Sequence, residues 1–231
     1  MPILENLAYH IDQDTVVRMC GYGGSRPAPK RFLAAVEHMA GRCTELARPR
    51  AAFEVYDFAL DGAGAHAGGG TFTGNILRTV LAGAGSLGLF VTTIGSDVDN
   101  EVLRLSREGD MLSSMVLDAV AGVVLAVSSL DFLERVRETV ARPDGDELTP
   151  VFSPGECRWD IREQSVLFSL VDTEPIGVFL NNAYMMVPKK SRSGLFGIGP
   201  PEDISSLTAC DVCDRRDECS GHELMQILAH A

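Results

Sequence analysis

The stretch "FSPGECRWDIREQSVLFSLVDTEPIGVFLNNAYMMVPKKSRSGLFGIG" (residues 152–199) decides how the fold is read. Within it, "IREQSVLFSLV" (161–171) predicts a helix. "IGVFLNNAYMMVP" (176–188) predicts a strand that ends at Pro188, because proline has no N–H to give to a ladder. A lone cysteine, Cys157, precedes these elements, and the basic group Lys189, Lys190 and Arg192 follows them. What surrounds this stretch, and what the cysteine and the cations serve, are the questions the rest of the chain must answer.

Upstream, Leu33, Val36, Ala40, Cys43 and Ala47 recur at steps of three and four, which places them on one face of a helix that starts near Pro29. "AFEVYDFAL" (52–60) predicts a strand, "NILRTVLAGA" (75–84) a helix and "LGLFVTTIG" (87–95) a buried strand. Asp97 stands as the N-cap of a short helix closed by Gly109. A longer helix runs from about residue 110 to Arg142, where Pro143 stops it, with Gly122 as a possible break. Helices and strands follow in mixed order, without the steady alternation of a parallel sheet. The expected architecture is α+β: a single domain over residues 1–204 with a mainly antiparallel sheet and flanking helices, and a cysteine-rich C-terminal segment, 205–231, packed on it.

The chain has 231 residues and a formal net charge of -12, so a polyphosphate backbone would be repelled over most of its surface and nucleic acid is a poor partner. The run "MVLDAVAGVVLAV" (115–127) carries Asp118 and falls short of the roughly 20 residues that cross a bilayer. No membrane span is expected, and the N-terminal residues lack the basic and apolar regions of a secretory leader. A cytoplasmic setting follows, which directs six cysteines towards metal or redox chemistry rather than disulfides.

"GAGSLG" (83–88) fits a dinucleotide fingerprint letter for letter, but it joins a helix to a strand, the reverse of the order that brings pyrophosphate to a helix N-terminus. It reads as a plain turn. "GAGAHAGGG" (62–70) reads as a mobile loop or ligand-covering lid, with His66 as its only titratable group. No Ser, His and acid trio declares itself.

Cys210, Cys213 and Cys219 in "ACDVCDRRDECSGHEL" (209–224) can converge on one soft metal or cluster, because C-x2-C lets two sulfurs face one point. Two residues can complete a tetrahedral site. His222 gives a Cys3His zinc centre, and Cys157 an all-thiolate centre suited to zinc or an iron–sulfur cluster.

The 152–199 stretch resembles the activation domain of cobalamin-dependent methionine synthase, and more closely the small free-standing proteins related to it. The likeness rests on Ser153-Pro154-Gly155, Trp159, Gln164, Leu167-Phe168, Ile176-Gly177-Val178 and the Met-x-Pro-x-Lys-Ser-x-Ser-Gly run from Met186 to Gly194. A weaker likeness extends through "GYGGSRP" (21–27) and residues 91–120. The resemblance implies a cofactor pocket on Ser153, Pro154, Gly155, Glu156, Lys190 and Ser191, and favours Cys157 over His222 as the fourth ligand beside Cys210, Cys213 and Cys219. It implies a corrinoid-binding protein or methionine synthase modules as partners, with cobalamin reached only through them.

Three positions depart from the pocket pattern of that family. Val151 stands for the arginine and Glu156 for the tyrosine of its Arg-x-x-x-Gly-Tyr marker, and Ala126 for an acid on the long helix. A valine cannot replace a guanidinium fork, so these departures weigh against S-adenosylmethionine. The expected function is an accessory protein that supports reductive reactivation of a corrinoid protein through a Cys-ligated iron–sulfur or metal site. The alternative is a non-catalytic, zinc-stapled binding protein with a degenerate S-adenosylmethionine cleft. Lys189, Lys190 and Arg192 offer donors to a corrinoid edge, a phosphate or an acidic partner face, or form a solvated turn.

Overall fold

The computed structural model describes residues 2–23, 26–156, 158–208 and 210–212. In chain order, β1 (Ile3–Glu5) leads to α1 (Gln13–Met19) and α2 (Lys30–Leu46), then to β2 (Arg50–Leu60), β3 (Ala65–Ala67) and β4 (Gly70–Phe72). The one-turn α3 (Leu77–Val80), β5 (Ser86–Thr93), α4 (Ser96–Arg107) and the long α5 (Met111–Val136) follow. After β6 (Glu147–Leu148) come α6 (Gln164–Leu170), the short strands β7 (Phe179–Leu180) and β8 (Met186–Val187), and β9 (Ser191–Gly199).

Every strand pairing among the described residues is antiparallel, and the main sheet runs β4-β3-β2-β5-β9-β6 with β1 on the start of β2. The expected α+β class with a mainly antiparallel sheet is therefore the fold. Strands β2, β5 and β9 form its centre, and the sequence explains the close packing there. Gly88 on β5 faces Phe196 on β9, and a Cβ at Gly88 would fall 2.2 Å from the Phe196 ring.

One face of this sheet carries α5. Phe132 of that helix meets Phe90 at 5.0 Å and Phe53 edge-on at 5.7 Å, while Phe90 in turn meets Phe196 at 6.0 Å. Offset and edge contacts of this kind add stabilisation beyond the area they bury. Asp110 caps α5 by accepting the Ser113 N–H at 3.1 Å. The helix passes Gly122 unbroken because it is apolar on nearly all sides, with the sheet on one flank and α1, α2 and α4 on the other. The helical run Met111–Asp144 is long and apolar enough to cross a membrane, but two-thirds of its most apolar window is buried inside the protein, so it is the core helix. On the opposite face of the sheet, Phe72, Leu89 and Leu195 pack beneath Trp159, Leu167 and Ile176 from the 152–178 segment.

Several local expectations change. Residues 176–188 do not form one strand: Gly177 takes a left-handed conformation after a 3-10 turn, and β7 and β8 make a narrow hairpin. Asn181 bends that hairpin by accepting the Ala183 and Met185 N–H groups at 2.8 and 3.1 Å. Residues 62–70 form no open loop. Gly68 and Gly69, both at positive φ, close a tight hairpin between β3 and β4, the turn that suits the twist of paired strands. The 75–84 helix shrinks to Leu77–Val80, since Gly83 turns back at φ 80°. Leu33 is exposed, and the buried stripe of α2 is Phe32, Val36, Met39, Ala40 and Cys43. Gly95 holds the N-cap position of α4, and Asp97 supports that helix from its first turn by opposing the macrodipole.

Glu101 ties α4 to α2. It accepts from Arg104 Nε at 2.7 Å and from Arg42 Nε at 3.1 Å, and the Arg104 bond leads in holding its carboxyl down at about 2. A depressed carboxylate contributes stability that is full above its unfolded pKa and is lost as pH falls through the folded value. Glu101→Gln is therefore expected to lower the urea midpoint at pH 7 and to flatten the loss of stability between about pH 4.5 and pH 2, read by urea titrations across that range. Phe132→Ala is expected to cost about 3–5 kcal/mol, read by the same method at pH 7.

Candidate functional site

Ser153, Pro154, Gly155 and Glu156 form one tight turn. The Glu156 N–H donates to the Ser153 carbonyl at 3.0 Å, with proline at the second position and Gly155 at φ 96° in the third. That is the residue order a type II turn requires. The Ser153 N–H donates back to Glu156 Oε2 at 3.1 Å, which folds the carboxylate over its own turn. The turn is anchored to β9 by Phe152, whose N–H and carbonyl pair with Leu195 at 3.0 and 2.9 Å. It is closed behind by Trp159: its carbonyl accepts the Gly155 N–H at 2.8 Å, and its own N–H reaches the Glu156 carbonyl at 2.7 Å.

The Trp159 side chain is locked in turn. Its indole N–H donates to Glu163 Oε2 at 2.6 Å, and the same carboxylate accepts the Thr73 N–H at 2.9 Å. The ring meets Phe72 edge-on at 6.0 Å and lies against Gly74, where a Cβ would come within 2.9 Å of it. The turn thus stands on packed side chains of both the sheet and α6.

Arg192 comes to this turn from β9. Its Nη1 is sealed from solvent without a hydrogen-bond partner, as is Ser153 Oγ, although part of the Arg192 side chain remains open. Burial pushes the Glu156 carboxyl up, and the positive charge of Arg192 opposes that; burial pushes Arg192 down, and the carboxylate of Glu156 opposes that. The two charges are coupled, yet no ion pair or hydrogen bond joins them, and Arg192 has no other side-chain partner among the described residues. Such an arrangement offers one charge of each sign. It contains no nucleophile paired with a base.

The structure brings four of the six expected pocket residues into one turn and gives the other two different work. Lys190 Nζ pairs with Asp118 of α5 at 2.9 Å. Ser191 Oγ donates at 2.8 Å to the Pro188 carbonyl and lies 3.0 Å from Thr93 Oγ1. The Lys189 N–H donates to Asp99 Oδ2 at 2.5 Å. The basic group is thereby divided: the Lys189 backbone and the Lys190 side chain tie the start of β9 to the helices, and Arg192 approaches Glu156. The signal for this was strand alternation, which sets Arg192 and Ser193 on opposite faces, and Ser193 is held by Gln164 Oε1 at 3.1 Å. Val151 is buried against Gly194, and Ala126 is buried in α5, so neither position carries a polar group to the turn.

Of the thiolate set, Cys157, Cys213 and Cys219, together with His222, lie outside the described residues. Cys210 is partly exposed in a turn where the Asp211 N–H reaches the Thr208 carbonyl at 3.1 Å. Among the described residues no three His, Cys, Asp or Glu side chains gather as a metal site. Cys43 belongs to the core, and burial pushes its thiol up to about 12. His66 clasps the β3–β4 hairpin rather than a ligand, with Nδ1 3.0 Å from Thr71 Oγ1 and Nε2 2.9 Å from Asp61 Oδ1. A cavity of about 490 Å³ borders the turn through Val151, between Leu133, Leu148 and Ile204, and includes neither Glu156 nor Arg192.

No protein-family model matches the chain, and no curated protein matches it. Thirteen chains of solved structures do. One is the crystal structure of the MetH reactivation domain bound to AdoHcy, which aligns with a TM-score of 0.62 and 15% identity over 99% of this chain and 90% of that one. The chain has the fold of that domain, as the resemblance implied.

Because Trp159 is the only tryptophan, its fluorescence reports the wall behind the turn. Glu163→Ala leaves the indole and Thr73 donors without their acceptor. It is expected to shift Trp159 emission to the red and to cost about 1–3 kcal/mol, read by fluorescence-detected unfolding.

Proposed function

We propose that the chain is an accessory of corrinoid-dependent methyl transfer. In this reading it presents the Ser153–Glu156 turn and Arg192 to an adenosyl ligand, S-adenosylmethionine or S-adenosylhomocysteine, and docks on a corrinoid-binding protein whose cobalt it helps return to the reduced, methylated state. One observation carries the reading. The likeness to a reactivation domain bound to AdoHcy extends over 99% of the chain, and two of the three buried polar atoms without a hydrogen-bond partner among the described residues, Ser153 Oγ and Arg192 Nη1, belong to the turn that the sequence resemblance marks as the pocket and to the strand beside it. Cytoplasmic conditions suit such reducing chemistry.

The chemistry asks for one electron to convert cob(II)alamin to cob(I)alamin and a methyl group from the sulfonium, which leaves as the thioether. Cys157, Cys210, Cys213 and Cys219 are the proposed thiolates of a metal site. An iron–sulfur cluster there would supply the electron, whereas zinc, which has no redox chemistry, would only brace the C-terminal segment. The second reading, a zinc-stapled binding protein without a reactivation role, draws support from the buried, apolar Val151 and Ala126 at two positions where the family carries polar pocket groups.

Anaerobically purified protein is expected to contain iron and sulfide, lost in Cys157→Ala and kept in His222→Ala. Added to a corrinoid protein in the cob(II)alamin state with a reductant and S-adenosylmethionine, it is expected to speed the loss of the cob(II)alamin absorbance at least tenfold. Zinc in place of iron, with no acceleration, would establish the binding-protein reading instead.

A further inference from the structure

We infer that Arg192 is the seat for the carboxylate of a zwitterionic ligand, the α-amino-acid end of the adenosyl compound proposed above, with Glu156 facing that ligand's cationic group. The inference rests on that reading for the nucleoside, but on the polar atoms of the turn for the amino-acid end.

A guanidinium nitrogen shut off from water without a hydrogen-bond acceptor is costly, and folds almost always supply one. Among the described residues Arg192 Nη1 has no partner, and Ser153 Oγ, at the start of the facing turn, has none either. Buried polar atoms left unmet call for an explanation, and a bound ligand supplies one. The adjacent cation on the strand's approach, Lys190, does not share the task, since Asp118 engages it. The charge of the ligand follows from its surroundings. A phosphate dianion would meet the Glu156 carboxylate and the net charge of -12, whereas a carboxylate monoanion matches the flat guanidinium fork. Glu156 supplies the other half of the match: Oε2 is held by the Ser153 N–H, and Oε1 accepts no hydrogen bond from the described residues. It stands ready for an ammonium or sulfonium. One anion seat on β9 and one cation seat on the turn beside it describe a zwitterion.

The test uses the full chain and two nucleosides that differ only at this end. By isothermal titration, S-adenosylhomocysteine is expected to bind at least tenfold more tightly than 5′-methylthioadenosine, which lacks the amino acid. Arg192→Met is expected to remove that difference while leaving methylthioadenosine unchanged, and Arg192→Lys to keep part of it. Unaltered S-adenosylhomocysteine binding in Arg192→Met, or an equal loss for both nucleosides, would overturn the inference. If neither nucleoside binds, the adenosyl reading fails and L-methionine against L-methioninol decides the inference alone. A preference for L-methionine that Arg192→Met abolishes sustains it, and no preference overturns it.

Discussion

Strand β9 is held against β5 over eight residue pairs, from Thr93 opposite Ser191 to Ser86 opposite Ile198. Side chains alternate along a strand, so a slip of one residue would exchange its two faces. In the observed register Phe196 and Ile198 pack towards α5, Leu195 packs beneath Trp159 and Leu167, and Arg192 arrives beside Glu156. Both halves of the core and the charged turn depend on this single alignment. Gly88 and Gly194 permit it: a side chain at the first would strike Phe196, and at the second Val151 and Phe90.

The turn inherits its rigidity from the same strand. Phe152 is bridged to Leu195 and Trp159 is locked by Glu163 and Phe72, which pins the turn Ser153–Glu156 beside them. A rigid support of this kind can hold polar atoms away from partners, which a mobile loop would not do, because a loop would relax until they were satisfied.

The class of fold was legible in the sequence because the central strands and the long helix announce themselves by apolar content and by what bounds them. β2, β5, α2 and α5 lie where their patterns placed them. What misled was short-range detail. The 176–188 segment is rich in strand-forming residues, but Gly177 and the Asn181 side chain bend it into a narrow hairpin. The glycines at 68 and 69 look like a loop and make a hairpin, since both positive φ values are needed there. The turn at 153–156 was not read from the sequence, which singled those residues out only through resemblance to a known pocket, and Arg192 was hidden in a basic run whose members the structure sends to different partners. No sequence pattern records that an arginine lacks an anion. Only the packing around it does.

A ligand site formed by the Ser153–Glu156 turn and the start of β9 would show in hydrogen–deuterium exchange of the full chain, with and without saturating S-adenosylhomocysteine. Slower exchange is expected at backbone amides around 152–159 and 190–195 alone, with the exposed faces of α2 and α4 unchanged. Protection centred elsewhere, for example at the cavity between Leu133 and Ile204, or no protection at all, would contradict it.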